Sequence, residues 1–267
     1  MKTEFCGICD IGKRREKNQD AIFMDAGTDA ALFAVADGMG GYLHGEEASG
    51  IIIGEMRKWW EEFPKRQQIC GAAGDFGKMI SALGQRLELA NRMIYERYGS
   101  GREICGSTAA VLFLYRESYC VLSSGDSRVY YLNSFTWKQL TSDDVWENQP
   151  QTLERYTPAQ IKAHKDHGKL VRAIGVAPEA SISGKTDILK DRDCFLICSD
   201  GLYKMCREKD IRRAMREYRL GRDEKKPLQE LLRTVYENSA SDNVSAILVR
   251  VEKNRFGRKE LWERNLE

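Results

Sequence analysis

The chain has 267 residues, of which 42% are apolar and 31% charged, with a formal net charge of +2. That is ordinary globular composition, long enough for one large domain or two small ones. It excludes a basic nucleic-acid stripe, and no segment approaches the roughly 18–20 consecutive apolar residues of a membrane helix.

The N-terminus, Met1-Lys2-Thr3-Glu4-Phe5, leads directly into patterned sequence. It lacks the apolar stretch and cleavage site of a secretory signal, so a cytoplasmic protein is expected. Cys6 and Cys9 form a Cys-x-x-Cys pair, but no second pair stands at zinc-finger spacing. Cys105, Cys120, Cys194 and Cys198 lie in or beside apolar runs, where a free thiol acts as a small hydrophobe. The cysteines are therefore read as free thiols, with a redox or zinc role for Cys6 and Cys9 as the lesser reading.

Strand-like runs follow at Ala21–Met24, Ala30–Ala36, Ala109–Tyr115, Tyr119–Ser123, Arg128–Leu132, Phe195–Cys198 and Val244–Val251. They are short, apolar or alternating, and bounded by Gly, Asp, Asn and Ser. Between them, Ala48, Ile51, Ile52, Met56 and Trp59 share one helical face, and Ile80, Leu83, Leu87, Ala90 and Ile94 another. Leu228, Leu231, Leu232 and Val235 share a third, with Pro227 near its start. The passage Leu122–Leu132 reads as two strands joined by a tight turn at Gly125-Asp126. Many strands and few helices predict an α+β domain of antiparallel sheets with packed helices.

Thr141 to Leu170 breaks the pattern. It is polar and poorly periodic, with Thr157-Pro158-Ala159-Gln160 as a capped helix start. An insertion of that length is expected to be a lid or flap. The segment Arg250–Arg264 interleaves Lys and Arg with Glu and reads as a solvated terminus. One domain over 1–252 and a charged tail over 253–267 are the expected boundaries.

The informative feature is where the aspartates fall. Asp37-Gly38 and Asp200-Gly201 each close an apolar strand, Asp126 follows another, and Asp20 and Asp242 each come just before one. Strand ends gather at sheet rims, so these carboxylates can converge. Converging carboxylates repel, and a hard divalent cation removes that cost. A single Asp-Gly is merely a common turn; five aspartates at strand ends make metal binding an even alternative. The glycine-dense stretch Asp37 to Glu46 is neither a P-loop nor an EF-hand loop.

In order along the chain stand Gly12-Lys13-Arg14-Arg15-Glu16-Lys17-Asn18-Gln19-Asp20, Val35-Ala36-Asp37-Gly38-Met39-Gly40-Gly41, and Gly45-Glu46-Glu47-Ala48-Ser49. They are followed by Gly106-Ser107-Thr108-Ala109, Gly125-Asp126-Ser127-Arg128-Val129-Tyr130, Leu140-Thr141-Ser142-Asp143 and Leu170-Val171-Arg172-Ala173-Ile174-Gly175. Cys198-Ser199-Asp200-Gly201-Leu202 and Ser241-Asp242-Asn243-Val244 complete the series. Over about residues 4–251 this series resembles the metal-dependent protein phosphatases of type 2C, in their compact bacterial form.

The resemblance implies a four-layer αββα sandwich, two antiparallel β-sheets flanked by helices, with the flap near 141–170. It implies two Mn²⁺ or Mg²⁺ ions, with Asp37 bridging both, the Gly38 carbonyl on one, and Asp200 and Asp242 on the other. Asp20 would hold a water of the metal centre, and Asp126 a third, weaker ion. Arg15 would grip the substrate phosphate. Two cations would make hydroxide available near neutral pH for in-line attack on phosphoserine or phosphothreonine, with no covalent enzyme intermediate. The implied partners are phosphorylated proteins, a cognate serine/threonine kinase and that kinase's substrates; the protein is expected to be a monomer.

Two departures matter. Met39 stands where many relatives carry a histidine assigned as general acid, so the acid is unassigned, with His167 a weak candidate and His44 read as structural. Asp143-Asp144 replaces a usual Asp-His, and Trp146 is read as an anchor for the flap. Two alternatives stay open: a catalytically weak or inactive relative that binds phosphoproteins, and a phosphatase for small phosphoesters.

Overall fold

Residue parity along the central strands explains the architecture. The computed structural model describes residues 1–39, 44–70, 75–99, 105–221 and 223–253. In strand β3 (Ala30–Met39), Leu32, Ala34 and Ala36 face one way and Ala31, Phe33 and Val35 the other, and all six are fully buried. A strand alternates its faces with period two, so one buried on both faces must lie between two layers. Strand β5 (Ala109–Tyr115) repeats the pattern, with Val111 and Phe113 on one face and Ala110, Leu112 and Leu114 on the other.

The partners of β3 and β5 build the first sheet. Its order is β2 (Asp20–Ala26), β3, β5, β6 (Ser118–Ser124), β9 (Ser183–Ile188), with short β4 (Gly106–Ser107) pairing the end of β3. The second sheet runs β1 (Lys2–Asp10), β11 (Val244–Glu252), β10 (Cys194–Cys198), β7 (Arg128–Leu132), β8 (Trp137–Gln139). Every pairing is antiparallel.

Three apolar layers hold the stack together. Between the sheets, Phe33 and Leu112 meet Val129, Phe195, Ile247 and Val249. Outside the first sheet lie α1 (Gly45–Cys70) and α2 (Phe76–Tyr98), which bury Ile52, Met56, Trp59, Leu83, Leu87 and Ile94 against it. Trp59 meets Phe113 edge-on, ring centroids 5.0 Å apart. Outside the second sheet lie α6 (Glu208–Arg219) and α7 (Lys226–Glu237), through Ile211, Met215, Leu228, Leu231 and Val235. Each fully buried Leu, Ile or Phe contributes about 1.5–3 kcal/mol. This is the expected αββα sandwich.

Some expectations change. Leu122–Leu132 is not a hairpin: β6 belongs to the first sheet and β7 to the second, so Gly125-Asp126 is the crossing between them. Gly125 N–H donates to Asp144 Oδ2 at 3.0 Å, and Asp144 N–H to the Gly125 carbonyl at 3.0 Å, which fixes that crossing. Arg250 is not part of a solvated terminus; it lies in β11, buried, against Glu4 and the Tyr218 carbonyl. Residues 254–267 of the expected tail, and Gly40 to Leu43 of the glycine-dense stretch, lie outside the described residues.

Cys6 and Cys9 are three apart on β1 and therefore project from opposite faces. Cys6 packs beside the α6–α7 layer, whereas the Cys9 thiol lies 3.6 Å from the Asp20 carbonyl on the inter-sheet side. They cannot form a disulfide or share one zinc ion in this strand. No helix among the described residues is long and apolar enough to cross a membrane.

Candidate active site

The five aspartates come from both sheets and meet at one end of the sandwich. Asp20 opens β2 and lies directly opposite Asp37 in the β2–β3 register. Asp200 opens the short helix α5 (Asp200–Tyr203) after β10, and Asp242 precedes β11. Asp126 sits in the β6–β7 crossing. Asp37, Asp126, Asp200 and Asp242 line one cleft of about 960 Å³, with Arg14, Arg15, Lys17, Gly38, Met39, Thr108, Lys169 and Lys204 also on its walls.

Local sequence explains how each group is held. Gly38 N–H donates to the Gln19 carbonyl at 3.0 Å, and a Cβ at Gly38 would stand 2.0 Å from the Gly45 carbonyl oxygen. Only glycine permits that approach of β3 to the start of α1. Gly201 serves the other sheet similarly, because a Cβ there would be 1.9 Å from the Asn243 carbonyl oxygen. Thr108 Oγ1 accepts from Asp37 N–H at 3.0 Å and shares a 2.6 Å hydrogen bond with Ser127. Asn243 ties down the loop from Ile11 to Gln19: it accepts from Gln19 N–H and donates to the Ile11 and Lys17 carbonyls, all within 3.0 Å. Sequence reading missed Asn243; a polar amide inside the Ser-Asp-Asn-Val run before a buried strand is the signal for it.

Asp20 is 6% exposed. Its Oδ2 accepts from Ser199 Oγ at 2.8 Å, while its Oδ1 is buried with no hydrogen-bond partner. Burial pushes its carboxyl up to about 6, with the Ser199 hydrogen bond acting the other way and the Asp200 and Asp242 charges adding to the rise. Asp37 is held well above the usual carboxylate range, first by burial and then by Asp20, Asp200, Asp126 and Asp242. Asp126 is also raised, by burial and then by Asp200.

Cations already stand among these carboxylates. Arg15 meets Asp242 side-on, Nε to Oδ1 at 2.8 Å and Nη2 to Oδ2 at 2.8 Å. Lys204, which sequence reading did not single out, places Nζ 2.5 Å from Asp200 Oδ2 and 3.7 Å from Asp126 Oδ2. With these side chains in place, no three Asp, Glu, His or Cys side chains among the described residues form a closed ligand group. Even so, the donor set suits a hard divalent ion: carboxylate oxygens penalised by burial and repulsion, one of them an orphan.

The other candidates lie elsewhere. His167 is absent from the cleft lining and faces Glu147 at 3.8 Å. His44 stacks on Tyr98 at 4.8 Å and pairs with Glu47 at 3.2 Å, a structural setting. The flap carries a 3-10 turn (Trp146–Asn148), α3 (Pro150–Arg155) and α4 (Pro158–Ala163), with the Thr157/Gln160 capping box formed. Trp146 is its anchor, stacked on His164 at 4.1 Å and near Tyr156 at 5.5 Å. A Val145–Leu170 bridge and the Trp146 N–H to Lys169 carbonyl bond, 2.9 Å, close its base. That base brings Gly168, Lys169 and Leu170 to the cleft wall.

Known proteins resemble this chain in sequence family and in fold. A family profile described as protein phosphatase 2C matches residues 12–249. Protein phosphatase PhpP of Streptococcus pneumoniae is 26% identical over 208 residues, 77% of this chain and 81% of that one. The serine/threonine phosphatase stp of Listeria monocytogenes is 24% identical over 265 residues, 97% and 99% of the two chains. PstP of Mycobacterium tuberculosis is 25% identical over 260 residues, 96% of this chain but 46% of PstP. Among solved structures, a Streptococcus agalactiae serine/threonine phosphatase superposes with a TM-score of 0.80 at 24% identity, covering 94% of this chain and all of that one. The PstP catalytic domain in complex with two manganese ions gives 0.74 at 24% identity, covering 94% and 99%.

Proposed function

The chain belongs to the protein phosphatase 2C family and is a serine/threonine protein phosphatase; from that premise we propose how its cleft removes phosphate from phosphoserine and phosphothreonine. The carrying observation is the convergence of Asp37, Asp200 and Asp242 with Arg15 in one cleft. Two Mn²⁺ or Mg²⁺ ions would be held by Asp37, the Gly38 carbonyl, Asp200 and Asp242, with Asp20 behind them. Bound there, the ions supply Lewis acidity and a water ionised near neutral pH.

The protein's own groups do the rest. Arg15 binds the substrate phosphate: its planar guanidinium offers paired N–H donors to a phosphate as it does to Asp242. Asn243 and Gln19 hold the Arg15 loop in register with the second sheet. Thr108 fixes the Asp37 backbone. In the reaction a water oxygen bonds to phosphorus and the bond from phosphorus to the Ser or Thr oxygen breaks, leaving phosphate and a free hydroxyl. No histidine among the described residues lines the cleft, which favours water over a histidine as the proton source for the leaving oxygen.

Lys169 and Arg14 on the cleft wall, beside the flap base, support a phosphoprotein substrate over a small phosphoester. A cognate serine/threonine kinase and its targets fit that role, with the protein acting as a cytoplasmic monomer and residues 1–252 forming the catalytic domain. A non-catalytic binding module is disfavoured because every expected acidic position is retained.

Phosphate release from a phosphothreonine peptide should require Mn²⁺ or Mg²⁺ and stop on chelation. Folded protein that, with Mn²⁺, hydrolyses neither phosphopeptide nor aryl phosphate would overturn the reading.

A further inference from the structure

Asp126 is expected to bind a third, weaker ion, yet the structure already places a cation there. Lys204 follows Asp200 by four residues, one helical turn, and its backbone N–H donates to the Asp200 carbonyl at 2.9 Å. That turn carries Nζ back over the helix start, 2.5 Å from Asp200 Oδ2 and 3.7 Å from Asp126 Oδ2. One ammonium thus bridges a carboxylate from the β6–β7 crossing and one from the β10–α5 junction.

The place is built rather than incidental. Asp126 is 4% exposed, and its Oδ2 also accepts from the Tyr203 hydroxyl at 3.1 Å. The Tyr203 ring lies under the Arg128 guanidinium, 3.6 Å from ring centre to Cζ. Arg128 in turn is gripped by both oxygens of Asp143, with Nη2 to Oδ2 at 2.6 Å, and donates to the Tyr130 hydroxyl at 2.8 Å. A chain of contacts from Asp143 through Arg128 and Tyr203 therefore orients Asp126 towards Lys204.

We propose that the Lys204 ammonium is a tethered substitute for a third metal ion, which limits the centre to two ions. This rests on the metal-dependent reading above. An ion that took Asp126 Oδ2 and Asp200 Oδ2 together would have to displace Nζ, which lies 3.7 Å and 2.5 Å from them; the other oxygen of Asp200 is left to the two-ion centre. A tethered ammonium is not lost to dilution or chelators. It neutralises part of the Asp126–Asp200 repulsion whatever the metal concentration.

The test is Mn²⁺ stoichiometry on the full chain, by calorimetric titration and by anomalous scattering from crystals grown with Mn²⁺. Wild-type protein should bind two ions, neither touching Asp126. Lys204→Asp should bind three, the added ion lying between Asp126 and Asp200, and Lys204→Arg should stay at two. Lys204→Ala, which introduces no charge, should also gain the third ion and keeps the test open should Lys204→Asp fail to fold. Three ions in the wild type with Asp126 as a ligand, or two in both Lys204→Asp and Lys204→Ala, would overturn the inference. No ion in the wild type would overturn the metal-dependent reading and this inference with it.

Discussion

Asp20 and Asp37 stand directly opposite each other on adjacent antiparallel strands. Two carboxylates in register beneath a cleft, both with raised affinity for protons, are an unfavourable arrangement for a protein without cations. Stability has been given up locally where two acids are needed.

That arrangement predicts a pH effect in chelator. The Asp20 carboxyl is raised from 3.8 to about 6 on folding, so the folded state binds its proton more tightly than the unfolded state. Its contribution is fully present below about 3.8 and is lost as pH rises through about 6, up to about 3 kcal/mol for a shift of this size. Asp20→Asn has no such proton to lose. The stability difference between Asp20→Asn and wild type, from urea denaturation in EDTA, should therefore grow in favour of the variant from pH 4 to pH 7. A difference flat with pH would contradict it.

Asp37→Asn and Asp200→Asn each replace a proposed ion ligand by a neutral amide. Phosphate release should fall by more than the roughly 10–100-fold typical of outer-shell changes. Circular dichroism should show the fold intact, since Asp37→Asn removes a buried, repelled charge and Asp200 lies at the partly exposed start of α5. Retained activity in either variant would remove that residue from the centre.

Ser199 holds Asp20 from the other sheet, its hydroxyl donating to Asp20 Oδ2 and accepting from Ser245 N–H at 3.0 Å. Ser199→Ala should cost about 1–3 kcal/mol of stability for the buried groups left unpaired. It should also weaken Mn²⁺ binding roughly 10–100-fold, measured by calorimetry.

Asn243→Ala should release the Arg15 loop. The three hydrogen bonds from its side chain to Gln19, Ile11 and Lys17 disappear together. The expected outcome is a higher KM for phosphopeptide with a smaller change in kcat, because phosphate binding suffers before chemistry. An unchanged KM would show that Arg15 is positioned by something else.

Trp146→Ala should loosen the flap while leaving the carboxylates in place. Its ring stacks on His164 and lies near Tyr156, contacts that hold the flap together beside the base that reaches the cleft and that alanine would remove. Turnover of a phosphoprotein should drop several-fold more than turnover of an aryl phosphate, which needs no docking. Equal losses on both substrates would deny the flap a role in substrate choice.

The strands that were legible from sequence are those buried on both faces, such as β3, β5 and β10, because continuous apolar runs leave no other solution. β1 and β9 were missed. Lys2–Asp10 is laced with polar residues, and Ser183–Ile188 is exposed throughout; edge strands owe their shape to a neighbour's backbone more than to their own side chains. Helix α6 was missed although Ile211, Ala214, Met215 and Tyr218 carry helical spacing and are buried. Its many charged residues hid a real apolar stripe.

Local pattern picked out the aspartates, each at a strand end and two of them, Asp37 and Asp200, followed by glycine; Arg15, in a basic run, was singled out only by the family resemblance. What those groups touch was decided only by tertiary structure. Ser199 reaches Asp20 across 179 residues, and Arg15 reaches Asp242 across 227. Lys204 is near Asp200 in the chain, yet its second partner, Asp126, arrives from a crossing between sheets that sequence pattern mistook for a hairpin. Local pattern encodes which residues can bear charge. Only the stacking of two sheets by burial of the apolar layer between them determines which charges meet.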